Sequence, residues 1–251
     1  MLFEDRARAE SFGAVADLYD RARPSYPRAL VDALLVDRPR AVLDVGCGTG
    51  IAGGLLAAHG CRVLGVEVDA RMAARAREKG LAVEMARFEH WDDRGRRFDL
   101  LISGQAWHWI EPRTGAAKAA AVLHRGARLG LFWNFARPPS ELRARLAPIY
   151  ARIAPKLELP AQLHADLRAG EAVGPLERSG AFTAIEVKRY PWSRRYTARE
   201  WCEQLSTHSD HQALPARQRS ALLDAVGVAV DESGGAIEMP YETVLVTGRR
   251  G

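Results

Sequence analysis

The sequence predicts an α/β fold: a doubly wound, mostly parallel sheet with helices on both faces and an inserted helical cap. Three observations carry this. The run Ala41-Val-Leu-Asp-Val-Gly-Cys-Gly-Thr-Gly50 passes from an apolar strand through alternate glycines into a helical segment. Short apolar runs then alternate with helical patterns as far as Asn134. Beyond residue 140 the pattern becomes Ala-, Leu- and Arg-rich with scattered prolines, and the chain finishes on a pair of strand-like runs.

Residues 4–38 read as two helical pieces, because Pro24 and Pro27 forbid a continuous helix through Arg23-Pro-Ser-Tyr-Pro27. Ala41–Val45 is the first strand and Ile51–His59 the first wrapped helix. Arg62–Val66 is the second strand, and Ala70–Lys79 a helix that Gly80 ends. Leu81–Ala86 is the third strand. Phe98–Ser103 is a short apolar run suited to a buried parallel strand. A helix over Gly115–His124, ending at Gly126, leads to the fifth strand, Arg128–Asn134. Residues 140–180 read as cap helices and Phe182–Tyr190 as an alternating strand. Thr197–Leu205 and Ala216–Val230 read as helices, and Ala236–Thr247 as two short runs around Pro240. The expected organisation is one domain over 1–251. It has a helical lid over 1–38, a core over 39–135, and cap elements over 136–180 and 195–235.

With 251 residues and 47% hydrophobic content, the chain is long enough for one sizeable core. It has no apolar run of the roughly 18 or more residues that a membrane span needs. The start, MLFEDRARAESFG, lacks the apolar core of a signal peptide, so a cytoplasmic protein is expected. Cys47, Cys61 and Cys202 are widely spaced, form no metal pattern, and suit a reducing compartment. The net charge of +5 comes from arginines spread among Asp, Glu and Ala, as on solvated helix faces. There is no basic tail and no RNA-binding motif, which argues against nucleic acid. His208 and His211 have a spacing that suits a metal on a helix. With Asp210 the lone acidic neighbour, a cap–core contact is the better reading, and no metal is expected.

Gly46, Gly48 and Gly50 let the backbone approach a ligand closely, and Asp44 places a negative charge just before the turn. Glu67 ends the second strand about 20 residues beyond the first glycine, where such folds place the carboxylate that holds ribose hydroxyls. A nucleotide-type ligand with a positively charged amino-acid tail fits both features. A nicotinamide fingerprint would need glycine at position 51, where the chain has Ile51.

DVGCGTG followed by GVEVDARM resembles the first two motifs of class I S-adenosylmethionine-dependent methyltransferases. ADLYDRARPSYP and FDLLISGQAWHWI are similar to the type 11 family and its trans-aconitate methyltransferase-related group. The matching segments run from about Phe12 to Asn134. The resemblance implies a Rossmann-like seven-stranded sheet with its last strand antiparallel, and S-adenosylmethionine as cofactor, leaving as S-adenosylhomocysteine. It also implies roles. Gly46, Gly48 and Gly50 line the methionine part, Asp44 holds the amino end, and Glu67 accepts the ribose hydroxyls. Val68 and Met72 pack on adenine. Relatives carry Gly-Asp-Ala at the tip of strand three, whereas this chain has Ala86-Arg87-Phe88-Glu89, so Phe88 and Glu89 stand where the adenine contact is expected. The lid segment folds over the cofactor, bringing Tyr19 and Arg23 to it and Tyr26 towards the substrate.

Ser103 and Gln105 follow strand four, where sulfonium and acceptor meet. His108 is either a general base, with an unperturbed pKa of about 6.5, or an orienting hydrogen-bonding residue. Trp107, Trp109 and Trp133 are either an aromatic wall for the substrate or core residues. Arg194 and Arg195, in PWSRRYTAREW, are placed between a strand and a cap helix, where an arginine fork suits a carboxylate. The expected activity is methyl transfer to an oxygen or nitrogen of a small molecule, with a carboxylate as one such acceptor. A macromolecular methyltransferase and a cofactor-binding protein without transferase activity are the alternatives. Oligomeric state is not legible.

Overall fold

The computed structural model describes residues 12–157 and 163–251. Its seven-stranded sheet has the order β3-β2-β1-β4-β5-β7-β6. Strands β1 (Ala41–Val45), β2 (Arg62–Glu67), β3 (Ala82–Met85), β4 (Phe98–Gly104) and β5 (Leu123–Ala136) pair in parallel. Strand β7 (Ala236–Arg250) runs antiparallel between β5 and β6 (Phe182–Thr197). The strand order reverses between β1 and β4, so their carboxyl ends open a crevice for a ligand.

Burial on both faces explains the apolar runs of β1 and β4. One face carries helices α2 (Arg28–Leu34), α3 (Ile51–Ala58) and α4 (Ala70–Glu78), with Leu30, Leu34, Leu56 and Ala76 in its core. The other carries α5 (Pro112–Val122) and α7 (Leu163–Arg178), through Ala116, Ala119, Ala169 and Leu176. A third cluster forms the cap. It joins α6 (Ser140–Ile153), α8 (Ala198–Leu205) and α10 (Ala216–Asp231) to the far ends of β6 and β7, around Tyr150, Tyr196, Trp201 and Tyr241.

Several expected boundaries move. Residues 140–180 do not act together: α6 joins the cap, whereas α7 covers the sheet. Helix α5 starts at Pro112, where Glu111 accepts from the backbone of Arg113 and Thr114, and it stops at Val122. His124 and Gly126 therefore belong to β5, because Leu123 already pairs with Phe98. Strand β6 continues through Pro191 to Thr197, and β7 passes unbroken through Pro240. Both prolines sit where the missing N–H is tolerated. β6 is an edge strand, and the β5 ladder ends at Ala136↔Tyr241, one residue short of Pro240.

The lid consists of a short 3-10 turn over Phe12–Val15, helix α1 (Ala16–Ala22), the Pro24–Pro27 break and α2. Positions 1–11, expected to be part of it, lie outside the described residues.

Candidate active site

A cavity of about 220 Å³ opens at the carboxyl ends of β1, β2 and β4. The glycine turn forms its floor. Gly46, Gly48 and Gly50 take φ values of 65°, 55° and 77°, which side-chain-bearing residues rarely adopt. A Cβ on Gly46 would lie 2.5 Å from that of Ala106. Gly46 and Gly48 line the cavity; Gly50 caps α3 behind them.

Glu67 braces this floor. One carboxylate oxygen accepts from the N–H of Gly48 at 2.8 Å, and the other from Val68 and Asp69 at 2.8 and 2.9 Å. Burial pushes the Glu67 carboxyl up, against the pull of those three N–H groups. The side chain stays on the cavity wall beside Val68 and Met72. Phe88 and Glu89 complete that end. Phe88 is buried against Trp91 and Trp107, and Glu89 accepts from the backbone of Glu111.

Asp44 lies beneath the turn rather than on the cavity wall, at 1% exposure. Burial raises its carboxyl to about 7, although the Gly53 N–H opposes the shift. Its Oδ2 has no hydrogen-bond partner. A buried carboxylate with one oxygen unpaired below a glycine cradle, and a second carboxylate on the wall, suit a cationic, hydroxyl-bearing ligand. That is the chemistry of S-adenosylmethionine, and the residues present fit it.

Ser103 is fully buried and donates to Val45 O at 2.9 Å, tying β4 to β1 at the switch point. Gln105 lines the cavity with φ at 60°, a strained value for a non-glycine residue. Its backbone and side-chain amides hold it to Phe132 O and Asn134 O. His108 and Trp109 follow on a 3-10 turn and also face the cavity. Trp107 and Trp133 do not; both are nearly fully buried and line a second cavity of about 290 Å³, of which His108 is also a wall.

Tyr19 and Arg23 close one side. The Arg23 guanidinium lies 5.0 Å from the Tyr19 ring centre and donates to Thr207 O in the cap at 3.0 Å. Tyr26 lies off the cavity, edge-on to Phe132 at 4.7 Å, and burial keeps its hydroxyl protonated. Arg194 and Arg195 are not brought to the site. They lie on edge strand β6, which runs longer than expected. Arg194 lies 4.7 Å over Tyr196, and Arg195 is exposed opposite Glu238.

Asp69 and Ser209 also line the cavity, beyond the candidates that the sequence marks. Asp69 caps α4, accepting from Arg71 N and Met72 N, and also accepts from Gly13 N of the lid at 3.0 Å. An aspartate just before a helical ARM segment carries the signal for the cap, though not for the lid contact. Ser209 arrives from the cap, and nothing local marks it. Beside it, His211 of helix α9 (Ser209–Gln212) bonds Tyr150 OH of α6 at 3.0 Å through Nε2 and its own neighbour Asp210 at 2.8 Å through Nδ1.

Residues 42–126 match the methyltransferase domain family. Over 248 residues the chain is 28% identical to an uncharacterized methyltransferase of Mycobacterium tuberculosis, covering 94% of each chain. In fold it is similar to a protein described as a type II methyltransferase from Anaeromyxobacter dehalogenans. The TM-score is 0.69 at 23% identity, with 90% of this chain and 97% of that one covered. It is also similar to a phosphoethanolamine N-methyltransferase of Haemonchus contortus solved with S-adenosylhomocysteine. There the TM-score is 0.54 at 13% identity, covering 99% of this chain and 59% of that one. Among the described residues no helix is long and apolar enough to cross a membrane. The glycine cradle, the braced Glu67 and these matches together support an S-adenosylmethionine-dependent methyltransferase.

Proposed function

We propose that the chain methylates an oxygen or nitrogen of a small molecule in the cytoplasm, as a member of the type 11 family related to trans-aconitate methyltransferase. The observation that carries this reading is the roofed cavity: lid residues Tyr19 and Arg23 and cap residue Ser209 share its walls with the glycine turn. A roofed site suits a small acceptor better than an open macromolecular surface.

When bound, the cofactor supplies a methyl group already activated by a sulfonium. In our reading, Glu67 accepts a ribose hydroxyl through the lone pair left on the oxygen that Gly48 N bonds. Gly46 and Gly48 admit the methionine part, Asp44 sets the potential under its amino group, and Arg23 meets its carboxylate. Val68, Met72 and Phe88 give the adenine an apolar seat, with Glu89 at its rim. Gln105 and the lid hold the acceptor in line, and such positioning can supply roughly 7–11 kcal/mol. A carboxylate is the acceptor we favour, because it needs no proton removed at neutral pH. Arg194 and Arg195 give it no support from where they lie.

Release of S-adenosylhomocysteine across a library of small carboxylates, phenols and amines tests the reading. Turnover of a small acceptor is expected. Turnover confined to RNA or protein would overturn it.

A further inference from the structure

Among the neighbours of His108, Trp133 has a chemistry with a single reading. The indole Nε1 of Trp133 lies 3.1 Å from His108 Nδ1. Trp133 is 2% exposed, so its N–H is out of reach of bulk water and an acceptor must be supplied from within. An indole N–H only donates, so Nδ1 must accept. A neutral imidazole that accepts at Nδ1 carries its proton at Nε2. Protonating Nδ1 would set two N–H groups against each other and leave the buried indole unpaired.

The turn that carries the ring is fixed. Trp109 N and Ile110 N donate to Ala106 O and Trp107 O, and the rings of His108 and Trp109 lie 4.9 Å apart. The position is also special. His108 and Ile110 line both the cofactor cavity and the second cavity, whose other walls include Trp107, Trp133 and Arg168. Helix α7 presents Gly170 to that second space, where an added Cβ would meet nothing within 4 Å. A mid-helix glycine costs about 1 kcal/mol against alanine, and no packing contact explains it here.

We propose that Trp133 fixes His108 as the Nε2–H tautomer. His108 then meets the methyl acceptor as a hydrogen-bond donor, and the acceptor is an atom with no proton to lose at neutral pH. The idea rests on the methyltransferase reading. The step balances without a base. A lone pair on a carboxylate oxygen or an unprotonated ring nitrogen forms the bond to the methyl carbon, the carbon–sulfur bond breaks, and its electron pair stays on sulfur. Nε2–H orients the lone pair, and Trp133 is a positioning residue that acts through His108.

The test uses the ¹⁵N-labelled full chain, free and saturated with S-adenosylhomocysteine, and the Trp133→Phe variant. Expected are the nitrogen shifts of an Nε2–H imidazole and a ¹⁵N–¹⁵N coupling between Trp133 Nε1 and His108 Nδ1. Trp133→Phe should abolish the coupling and let the tautomers mix. An Nδ1–H imidazole in the wild type, or no coupling, overturns the proposal. Failure of S-adenosylhomocysteine to bind would instead strike the methyltransferase reading, while the free chain still reports the tautomer. In turnover on a carboxylate acceptor, His108→Gln, which keeps an N–H, should lose less rate than His108→Ala. A phenol acceptor whose rate falls about 100-fold in both His108→Gln and His108→Ala would show a base and overturn the proposal.

Discussion

Burial raises the Asp44 carboxyl from its ordinary 3.8 to about 7, and this gives the residue opposite effects on folding and on binding. The folded pKa lies above the unfolded one, so the folded state holds the proton more tightly. Asp44 therefore costs nothing below about pH 4, costs progressively more up to pH 7, and reaches its full cost above that. Asp44→Asn should stabilise the free protein at pH 8, by up to about 4 kcal/mol, and change little at pH 4. Urea denaturation at both pH values measures this. Equal stability at pH 8 would mean that the carboxylate finds a partner. A cationic ligand reverses the balance, because it favours the charged form. Cofactor affinity should therefore fall as the pH drops below 7, and the same substitution should remove that dependence.

At the scale of elements, the lid is held at two ends. Gly13 N donates to Asp69, and Asp17 and Asp20 pair with Arg75 of α4 and with Lys79 at its C-cap. These pairs are largely exposed and worth little each. Towards the cap the junction is poorly paired. Among the described residues, Arg23 Nε, Trp201 Nε1, Gln204 Oε1 and His208 Nε2 are buried without a hydrogen-bond partner. An interface with such unmade bonds opens cheaply. Limited proteolysis between residues 12 and 27 should slow when S-adenosylhomocysteine is added; equal rates would refute a closing lid. A Cβ at Gly13 would fall 2.1 Å from an Asp69 oxygen. Gly13→Ala should therefore speed cleavage of the free protein while leaving its melting temperature nearly unchanged.

For the whole molecule, what the sequence reveals divides by the range of the physics. The strand–turn–helix at Ala41–Ala58 and the Glu67 carboxylate are legible because their signals are local: alternate glycines, an apolar run, a fixed spacing. The length of β6 and β7 is not, because pairing with each other overrides the prolines at 191 and 240. The same extension carries Arg194 and Arg195 along the edge strand and away from the cavity. Arg195→Ala should accordingly leave S-adenosylhomocysteine affinity unchanged in calorimetry, and a marked loss would show that the cap closes further than the structure indicates. Ser209 enters the site through cap packing, which no short motif encodes.

The central claim is that this cavity holds S-adenosylmethionine through Glu67, whose carboxylate both braces the turn and faces the ligand. Calorimetric titration of S-adenosylhomocysteine into wild type and Glu67→Ala, with circular dichroism as a check on folding, tests it most directly. We expect one site per chain in the wild type, weakened by about 1.5–3 kcal/mol, roughly 10- to 150-fold, in a folded variant. An unchanged dissociation constant in the variant, or no binding by the wild type, would contradict the claim.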